Sequence, residues 1–121
     1  MPASYEAHRK QLELILEAWG IPNATAAGTA EIMSWADLHG IDTHGISMVP
    51  PYDERRRADK LNVTAEPKVV KETPVSVLVD GGGGLGHPAG RRAMEIAIDK
   101  AKKTGIGVEA VRNSGHFGAC G

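Results

Sequence analysis

Apolar residues recur at helical spacing through the first forty or so positions of the chain. This spacing predicts a first helix over about residues 4–19, ended by Gly20, and a second helix over about residues 23–39. Ser4 and Asn23 are the expected N-caps, because each side-chain oxygen can accept a free backbone N–H. The predicted inner faces contain Leu12, Ile15, Leu16 and Trp19 on the first helix, and Ala26, Ala30, Met33 and Leu38 on the second.

The segment IDTHGISMVPPYDERRR follows with a less regular pattern. Thr43 is expected to cap a short helix that begins at His44, and the pair Pro50–Pro51 is expected to break that helix. A charged helix is predicted to resume over about residues 52–60. Residues 61–73 have mixed polarity, and we expect them to form a connection that contains one extended piece between two prolines.

From residue 75 the pattern becomes that of an α/β structure. The stretch VSVLV is β-branched and nearly continuous, which predicts a strand buried on both faces. A glycine loop over residues 81–86 leads into a long helix that ends at Gly105, and a second strand is expected over residues 106–111. This order is a βαβ unit. The predicted inner face of its helix contains Ala93, Met94, Ala97, Ile98 and Ala101.

The predicted fold is therefore α/β, with an N-terminal helical domain over residues 1–73 and the incomplete beginning of an α/β domain over residues 74–121. A single βαβ unit leaves both of its strands as open edges, and such edges favour association. We therefore expect that the sheet needs more strands than these residues supply, and that the chain is a fragment.

The composition is that of a globular protein without an obvious charged partner. The 121 residues include 14 basic and 15 acidic side chains, for a net charge of -1, which offers no broad attraction to nucleic acid or to an anionic membrane. The run Arg55–Arg57 is expected to be a solvated helix face. One cysteine, Cys120, excludes an internal disulfide. With no signal-peptide or membrane-spanning stretch, the expected location is the cytoplasm.

The glycine loop GGGGLG invites a phosphate-binding interpretation. It satisfies the dinucleotide pattern G-x-G-x-x-G through Gly81, Gly83 and Gly86, between a strand and a helix. However, a run of glycines matches that pattern almost automatically, and the second strand ends in Arg112 and Asn113 rather than in an acidic residue. Arg112 could suit a 2′-phosphate. The alternative is a turn that lets the backbone pass closely beside another segment.

Five histidines are candidates for chemistry. His8 is expected to be solvated and His39 to favour a helix C-terminus. His87 stands at a helix start, where a positive charge is disfavoured, and is expected to be a neutral loop residue. None of the spacings forms a zinc pattern, so no metal is expected. His44 and His116 differ, because each lies between glycines, in THG and GHFG. An imidazole of pKa about 6.5 can exchange a proton near neutrality, although a structural loop role stays open for both.

The residues around these two histidines resemble one family. ADLHGIDTHGISMVPPY is similar to the A-D-L-x-G-x-D-S-H-G-x-x-R-x-P-x-Y segment of the second malate/L-lactate dehydrogenase type, which includes ureidoglycolate and sulfolactate dehydrogenases and diketogulonate reductase. Residues 80–86 resemble its D-x-x-x-G-x-G loop, and GIGVEAVRNSGHFGACG resembles its G-x-G-x-V-x-V-x-N-S-x-H-F-G-x-A-G segment. The resemblance covers nearly the whole chain and implies a non-Rossmann NAD(P)-binding fold and a homodimer.

The resemblance also implies roles for particular residues. His44 and His116 match histidines to which proton transfer is assigned in the family, and Thr43 stands where a serine is usual. Ser114 and His116 lie in the segment expected to contact the cofactor. Met48 stands where the family usually has an arginine, which could bind a substrate carboxylate through two parallel hydrogen bonds.

Most of the cofactor contacts that the resemblance implies are not expected within this chain. In the family they come from segments that follow the match to GIGVEAVRNSGHFGACG, so we expect them beyond Gly121. The assignment of Ser114 and His116 to the cofactor therefore covers only a small part of the expected site.

The expected function is that of an NAD- or NADP-dependent oxidoreductase, with hydride transfer between the nicotinamide and a 2-oxo or 2-hydroxy acid. By itself the chain is expected to be inactive. Two alternatives remain at this point. One is a non-catalytic dimerisation or binding module, and the other is a small nucleotide-binding domain that uses the glycine loop.

Overall fold

A computed structural model describes residues 3–119. Two compact units are present: one contains the described residues up to Thr64 together with Gly118 and Ala119, and the other is Ala65–Phe117. Across the described residues, every helix is too short or too polar to cross a membrane.

Two of the expectations fall on the last residues of the chain. Cys120 and Gly121 both lie outside the described residues. The expectation that Cys120 forms no internal disulfide and the expectation that most cofactor contacts lie beyond Gly121 are therefore not tested by the structure, and both stay predictions.

The first unit is built on two packed helices, α1 (Tyr5–Ala18) and α2 (Asn23–Leu38). The predicted cap at Ser4 is confirmed, since its hydroxyl accepts the Ala7 N–H at 3.2 Å. Gly20 has φ +91°, the left-handed conformation that ends a helix. The two helices contribute six apolar residues with no exposed surface to the core: Leu12, Leu16, Ala26, Ala30, Met33 and Ala36.

Two expectations about α2 are wrong. Asn23 is the first helical residue and Pro22 is the N-cap, without a side-chain hydrogen bond. A proline is well suited to that boundary, because its fixed φ agrees with the observed value of -55°. Leu38 is 62% exposed, since it lies in the last turn, beyond the face that packs on α1.

The segment after α2 contains two short 3₁₀ turns, Asp42–His44 and Ile46–Met48, followed by α3 (Val49–Arg57). The predicted break at Pro50–Pro51 is wrong. Both prolines occupy the first turn of α3, where a missing N–H costs nothing because those groups have no partner within the helix. Thr43 is also not a cap, since it lies inside the first 3₁₀ turn.

The second unit is a small mixed sheet with one helix. Its elements are β1 (Lys68–Glu72), β2 (Ser76–Asp80), α4 (Gly86–Thr104) and β3 (Val108–Arg112). The strand order is β1-β2-β3, with β2 antiparallel to β1 and parallel to β3. The expectation that both strands of the βαβ unit are open edges is therefore wrong for β2, because the extended piece before it pairs as β1.

The core of this unit lies between the sheet and α4. Val77 and Val79 of β2 pack with Ala93, and Ile96 and Val111 lie against them. The predicted burial of β2 on both faces is wrong, because its alternate residues are only half-buried. Two residues of the predicted α4 face, Met94 and Ile98, are likewise exposed by 49% and 45%.

Candidate functional site

The loop that carries His44 is fixed by hydrogen bonds along its backbone. The His44 N–H donates to the Ile41 carbonyl at 2.9 Å, which closes the first 3₁₀ turn. The His44 ring also meets its neighbour, with 2.7 Å between Nδ1 and the Thr43 hydroxyl oxygen. A hydroxyl can donate to an unprotonated ring nitrogen or accept from a protonated one, so this contact is compatible with either tautomer. Thr43 therefore restricts the orientation of the His44 ring.

Met48 closes the second 3₁₀ turn and brings no charge to it. Its N–H donates to the Gly45 carbonyl at 3.0 Å, and its half-buried side chain precedes α3.

The run Arg55–Arg57 in α3 is only partly the predicted solvated face. Arg56 and Arg57 both donate to Asp53 at 2.6 Å, and the Arg56 guanidinium lies 5.4 Å from the centre of the Trp19 ring. The Arg56 hydrogen bond is the main reason that the pKa of Asp53 is lowered.

The glycine loop between β2 and α4 uses its backbone N–H groups within the chain. Gly81 donates to the Arg112 carbonyl at 2.8 Å, Gly83 to the Asn113 carbonyl at 2.7 Å, and Gly86 to the His116 carbonyl at 2.9 Å. A phosphate cradle needs such N–H groups directed at the ligand. Since these donors are already engaged, the loop does not support the interpretation as a dinucleotide fingerprint.

The loop instead lets the segment NSGHF pass directly against it. A Cβ atom at Gly86 would lie 2.5 Å from both the Gly115 carbonyl oxygen and the Phe117 Cβ. In return, the Gly115 N–H donates to the Gly84 carbonyl at 2.8 Å. Glycine is required at position 86 because of this close approach. The loop therefore determines where the backbone of His116 lies.

Asp80 joins the ends of the two parallel strands to this loop. Its carboxylate accepts hydrogen bonds from the Gly82 N–H, the Arg112 guanidinium and the Asn113 amide, each at 2.9 Å. These bonds, that from Gly82 first, lower the pKa of Asp80. Arg112 is thus paired with Asp80, which weakens the idea that it serves a 2′-phosphate.

The exposed segment after β3 carries Ser114 and His116. Ser114 lines an open groove of about 400 Å³, together with Gly86, Gly90 and Phe117. The Ser114 hydroxyl donates to the Gly115 carbonyl at 3.0 Å, and its oxygen can still accept a hydrogen bond. His116 is exposed next to this groove, with its ring centre 6.4 Å from that of Phe117. An accessible imidazole on a rigid backbone can exchange protons with a bound molecule.

His87 lies beneath His116 and was not predicted as part of the site. It is only 1% exposed, and its ring centre is 6.4 Å from that of His116 in an edge-to-face arrangement. The expected neutral state fits the structure, since burial, with a smaller effect of His116, lowers the pKa of His87 to about 4. The expected position at a helix start is confirmed, whereas the expectation of a loop residue is wrong, because His87 belongs to the first turn of α4. The glycines before His87 gave no indication that it would be buried.

The buried His87 makes the stability of the second unit depend on pH. Its pKa is about 4 in the folded chain and 6.5 in an unfolded one. As the pH falls through that window, the unfolded chain takes up a proton that the folded chain does not. We expect the free energy of unfolding to drop by up to about 3 kcal/mol between pH 6.5 and 4, and then to level off. Hydrogen exchange at the amides of β2, corrected for intrinsic rates, measures this drop.

His87→Gln removes the titrating group from this position, so its stability should change little over the same pH window. His39→Gln is the matched control, since it removes an exposed histidine of the other unit and should leave the drop in place. An equal drop in wild type and in His87→Gln would contradict the assignment.

Two further histidines have structural contacts. The expectation that His8 is solvated is wrong: its Nε2 lies 2.7 Å from the Asp37 carboxylate, and its side chain is 22% exposed. The sequence gives no sign of this pair, because the partners are on different helices. His39 caps α2 as expected near a helix C-terminus, with its Nδ1 2.8 Å from the Trp35 carbonyl oxygen.

The predicted site residues thus fall into two groups. Thr43, His44 and Met48 lie together in the first unit, and Ser114 and His116 lie together in the second. Among the described residues, no cluster of three or more His, Cys, Asp or Glu side chains could bind a metal. The contacts that sequence analysis missed are those of Asp37, Asp80 and His87, which depend on residues far away in the chain.

Comparison with known proteins agrees with the resemblance. L-Sulfolactate dehydrogenase of Methanocaldococcus jannaschii is 40% identical over 116 residues, which are 96% of this chain and 34% of that protein. A solved structure of sulfolactate dehydrogenase from that organism superposes with a TM-score of 0.94 over 100% of this chain and 35% of the other. (2R)-3-Sulfolactate dehydrogenase (NADP(+)) of Chromohalobacter salexigens is 37% identical over 107 residues, 88% of this chain and 32% of that protein.

The chain spans about a third of the length of the curated relatives it matches. A family model described as malate/L-lactate dehydrogenase matches residues 3–121. The two helices followed by the beginning of an α/β unit are the fold that the solved relatives share. The chain therefore belongs to the malate/L-lactate dehydrogenase family.

Proposed function

We propose that the protein is an oxidoreductase that transfers hydride between a nicotinamide cofactor and C2 of a 2-oxo or 2-hydroxy acid. The observation that carries the proposal is the glycine loop that fixes His116 in an exposed position beside a groove. An imidazole there can supply or accept the proton on the substrate oxygen, which the reaction requires alongside hydride transfer. Membership of the dehydrogenase family supports the same reaction class.

The two candidate histidines take related roles in this proposal. One imidazole donates the proton to the substrate oxygen during reduction, and the other orients the carbonyl or the cofactor. The Thr43 hydroxyl, 2.7 Å from His44 Nδ1, holds the orientation of the His44 ring. The buried His87 is neutral, so it adds no positive charge next to His116.

The residues present fit only part of a nicotinamide cofactor. The engaged N–H groups of the glycine loop do not fit a pyrophosphate, whereas Ser114 and His116 offer polar atoms to the nicotinamide end. When bound, the cofactor supplies or accepts the hydride. NADP is supported by the name of the Chromohalobacter salexigens relative, and NAD is the other candidate. A homodimer, implied by the resemblance, remains part of the proposal, as do further cofactor contacts beyond Gly121.

The methionine at position 48 affects which class of acid we propose as the substrate. We place it at the substrate, where the family usually has an arginine. A thioether cannot bind a carboxylate through two hydrogen bonds, and Arg56 and Arg57 are both paired with Asp53. The substrate is therefore proposed to differ from a simple 2-oxo acid at its far end. A sulfonated acid is a candidate, because the relatives include L-sulfolactate dehydrogenases.

The test is a panel of acids given to the whole gene product that carries this chain. Pyruvate, oxaloacetate and sulfopyruvate are each assayed with NADH and with NADPH, through the absorbance of the reduced nicotinamide. We expect turnover with at least one acid. If none of the six combinations of acid and cofactor lowers the absorbance, the proposed function is contradicted.

Met48→Arg is the matched variant in this panel. A new two-pronged bond to a carboxylate should raise kcat/KM for oxaloacetate by about tenfold, since charged hydrogen bonds contribute about 1.5–3 kcal/mol. Arg57→Met is the control, because it changes a cation that is 74% exposed and outside the proposed site. Equal kcat/KM values for wild type and Met48→Arg with all acids would contradict the placement of Met48.

A further inference from the structure

We propose that Asp37, supported by His8, is a positioning residue for His44. This inference rests on the proposed function, in which His44 takes part in proton transfer. A group that transfers a proton must be fixed to within about 0.5 Å, which requires that the loop carrying it be rigid. The contacts of Asp37 with that loop meet this requirement.

Asp37 lies in the last turn of α2, and its side chain is 18% exposed. One carboxylate oxygen, Oδ2, accepts two hydrogen bonds. The Ile46 backbone N–H donates to it at 2.8 Å, and His8 Nε2, on α1, lies 2.7 Å away. A single carboxylate thus connects two helices to the start of the second 3₁₀ turn, immediately after the loop THG.

Gly45 packs directly on the same carboxylate. A Cβ atom at Gly45 would collide with the carboxyl carbon and both oxygens of Asp37. Gly45 is also buried. The glycine of THG therefore allows the backbone to lie against the carboxylate, which is a second and independent contact between Asp37 and the loop.

These contacts fix the backbone on both sides of His44. Before it, the Ile41 carbonyl accepts the His44 N–H at 2.9 Å. After it, Gly45 and Ile46 are fixed by Asp37. The remaining freedom of the imidazole is rotation about its side-chain bonds, which the contact between Nδ1 and the Thr43 hydroxyl restricts. Asp37 acts on the ring through this backbone.

A carboxylate at position 37 is well suited to fixing the loop that carries His44. An ionised carboxylate only accepts hydrogen bonds, so it can satisfy the Ile46 N–H and a donating His8 ring together. Hydrogen bonds to a charged group are about twice as strong as neutral ones. Alanine at position 37 would remove both bonds and leave space beneath Gly45, whereas asparagine would keep one oxygen in nearly the same place.

The experiment uses nuclear magnetic resonance on the chain, with Asp37→Ala, Asp37→Asn and a control. It measures hydrogen exchange of the Ile46 amide and the ring resonances of His44. Glu31→Ala is the control, because it removes an exposed carboxylate from the same helix. The whole gene product with each substitution is assayed in parallel for kcat and KM.

We expect Ile46 exchange to be about tenfold faster or more in Asp37→Ala, because a charged hydrogen bond is lost. The His44 ring resonances should shift in that variant, and kcat should fall by about tenfold with a smaller change in KM. Asp37→Asn should keep most of the protection and of kcat, and Glu31→Ala should resemble wild type. Unchanged Ile46 exchange and unchanged His44 resonances in Asp37→Ala would overturn the inference.

The inference and the proposed function fail in different ways. If His44→Ala retained full turnover, the role of His44 in the reaction would be wrong, while the exchange result would still decide whether Asp37 fixes the loop. If Asp37→Ala does not fold, His8→Ala is used in its place. It removes only the supporting hydrogen bond and should speed Ile46 exchange about threefold. Unchanged Ile46 exchange in His8→Ala would then overturn the inference.

Discussion

Replacing His116 by alanine in the whole gene product is expected to reduce kcat by about a hundredfold or more, and His44→Ala is expected to do the same. General acid–base catalysis by a positioned side chain contributes roughly that factor. Neither substitution removes a buried group, since His116 is exposed and His44 is half-buried. The loss should therefore appear in turnover and not in stability. Steady-state kinetics together with thermal unfolding of each variant separate the two effects.

His39→Ala is the matched control for these variants. It removes another exposed imidazole, which caps α2 and has no role in the proposal. Added imidazole provides a second check, because a small base that enters the vacated space should restore part of the turnover of His116→Ala. Turnover close to that of wild type in both His116→Ala and His44→Ala would refute the assigned roles.

Gly86→Ala is expected to destabilise the second unit by about 3 kcal/mol. The added Cβ would lie 2.5 Å from the Gly115 carbonyl oxygen, a backbone atom that can move only with its whole segment. Overpacking of this kind costs about 1–3 kcal/mol and occasionally more. The displaced segment carries His116, so kcat should fall by at least about tenfold as well. Chemical unfolding followed by circular dichroism measures the first effect.

Gly90→Ala provides a strict control in the same helix. A Cβ at Gly90 would meet nothing within 4 Å, and Gly90 lies within α4. Alanine is favoured over glycine in a helix by about 1 kcal/mol, so this variant should be slightly more stable than wild type. Opposite signs are thus expected for the same substitution four positions apart. Equal stability of Gly86→Ala and Gly90→Ala would contradict the close approach that we describe.

Local signals in the sequence predicted most of the elements correctly. The cap at Ser4, the stripe of Leu12 and Leu16, and the β-branched run of β2 each depend on neighbouring residues, and such patterns are visible in a single chain. The strand β1 was foreseen only as an extended piece, because all five of its residues are exposed and KVVKE shows no alternation. Pro50 and Pro51 were misinterpreted because prolines can begin a helix as well as break one.

The candidate histidines could be chosen from their glycine neighbours and from the family resemblance, but their supports could not. Asp37 and His8 are separated by 29 positions, and Asp80 and Arg112 by 32. No periodicity connects residues so far apart. The glycine loop shows the same limit, since its pattern gives the spacing of the glycines but not the partners of their N–H groups. The partners of these N–H groups determine whether the loop is a phosphate site or a support for the backbone of His116.

The central claim, hydride transfer to C2 of a 2-oxo acid, is tested most directly by following the hydride itself. The whole gene product is given NADH or NADPH carrying deuterium at the transferable position of C4, on either face, with the acid that the panel selects. We predict a 2-hydroxy acid with one deuterium atom on C2, seen by mass spectrometry and proton resonance. The label is expected to move from only one of the two faces of C4, so the account would be contradicted if the product lacked deuterium at C2 with both labelled faces of both cofactors.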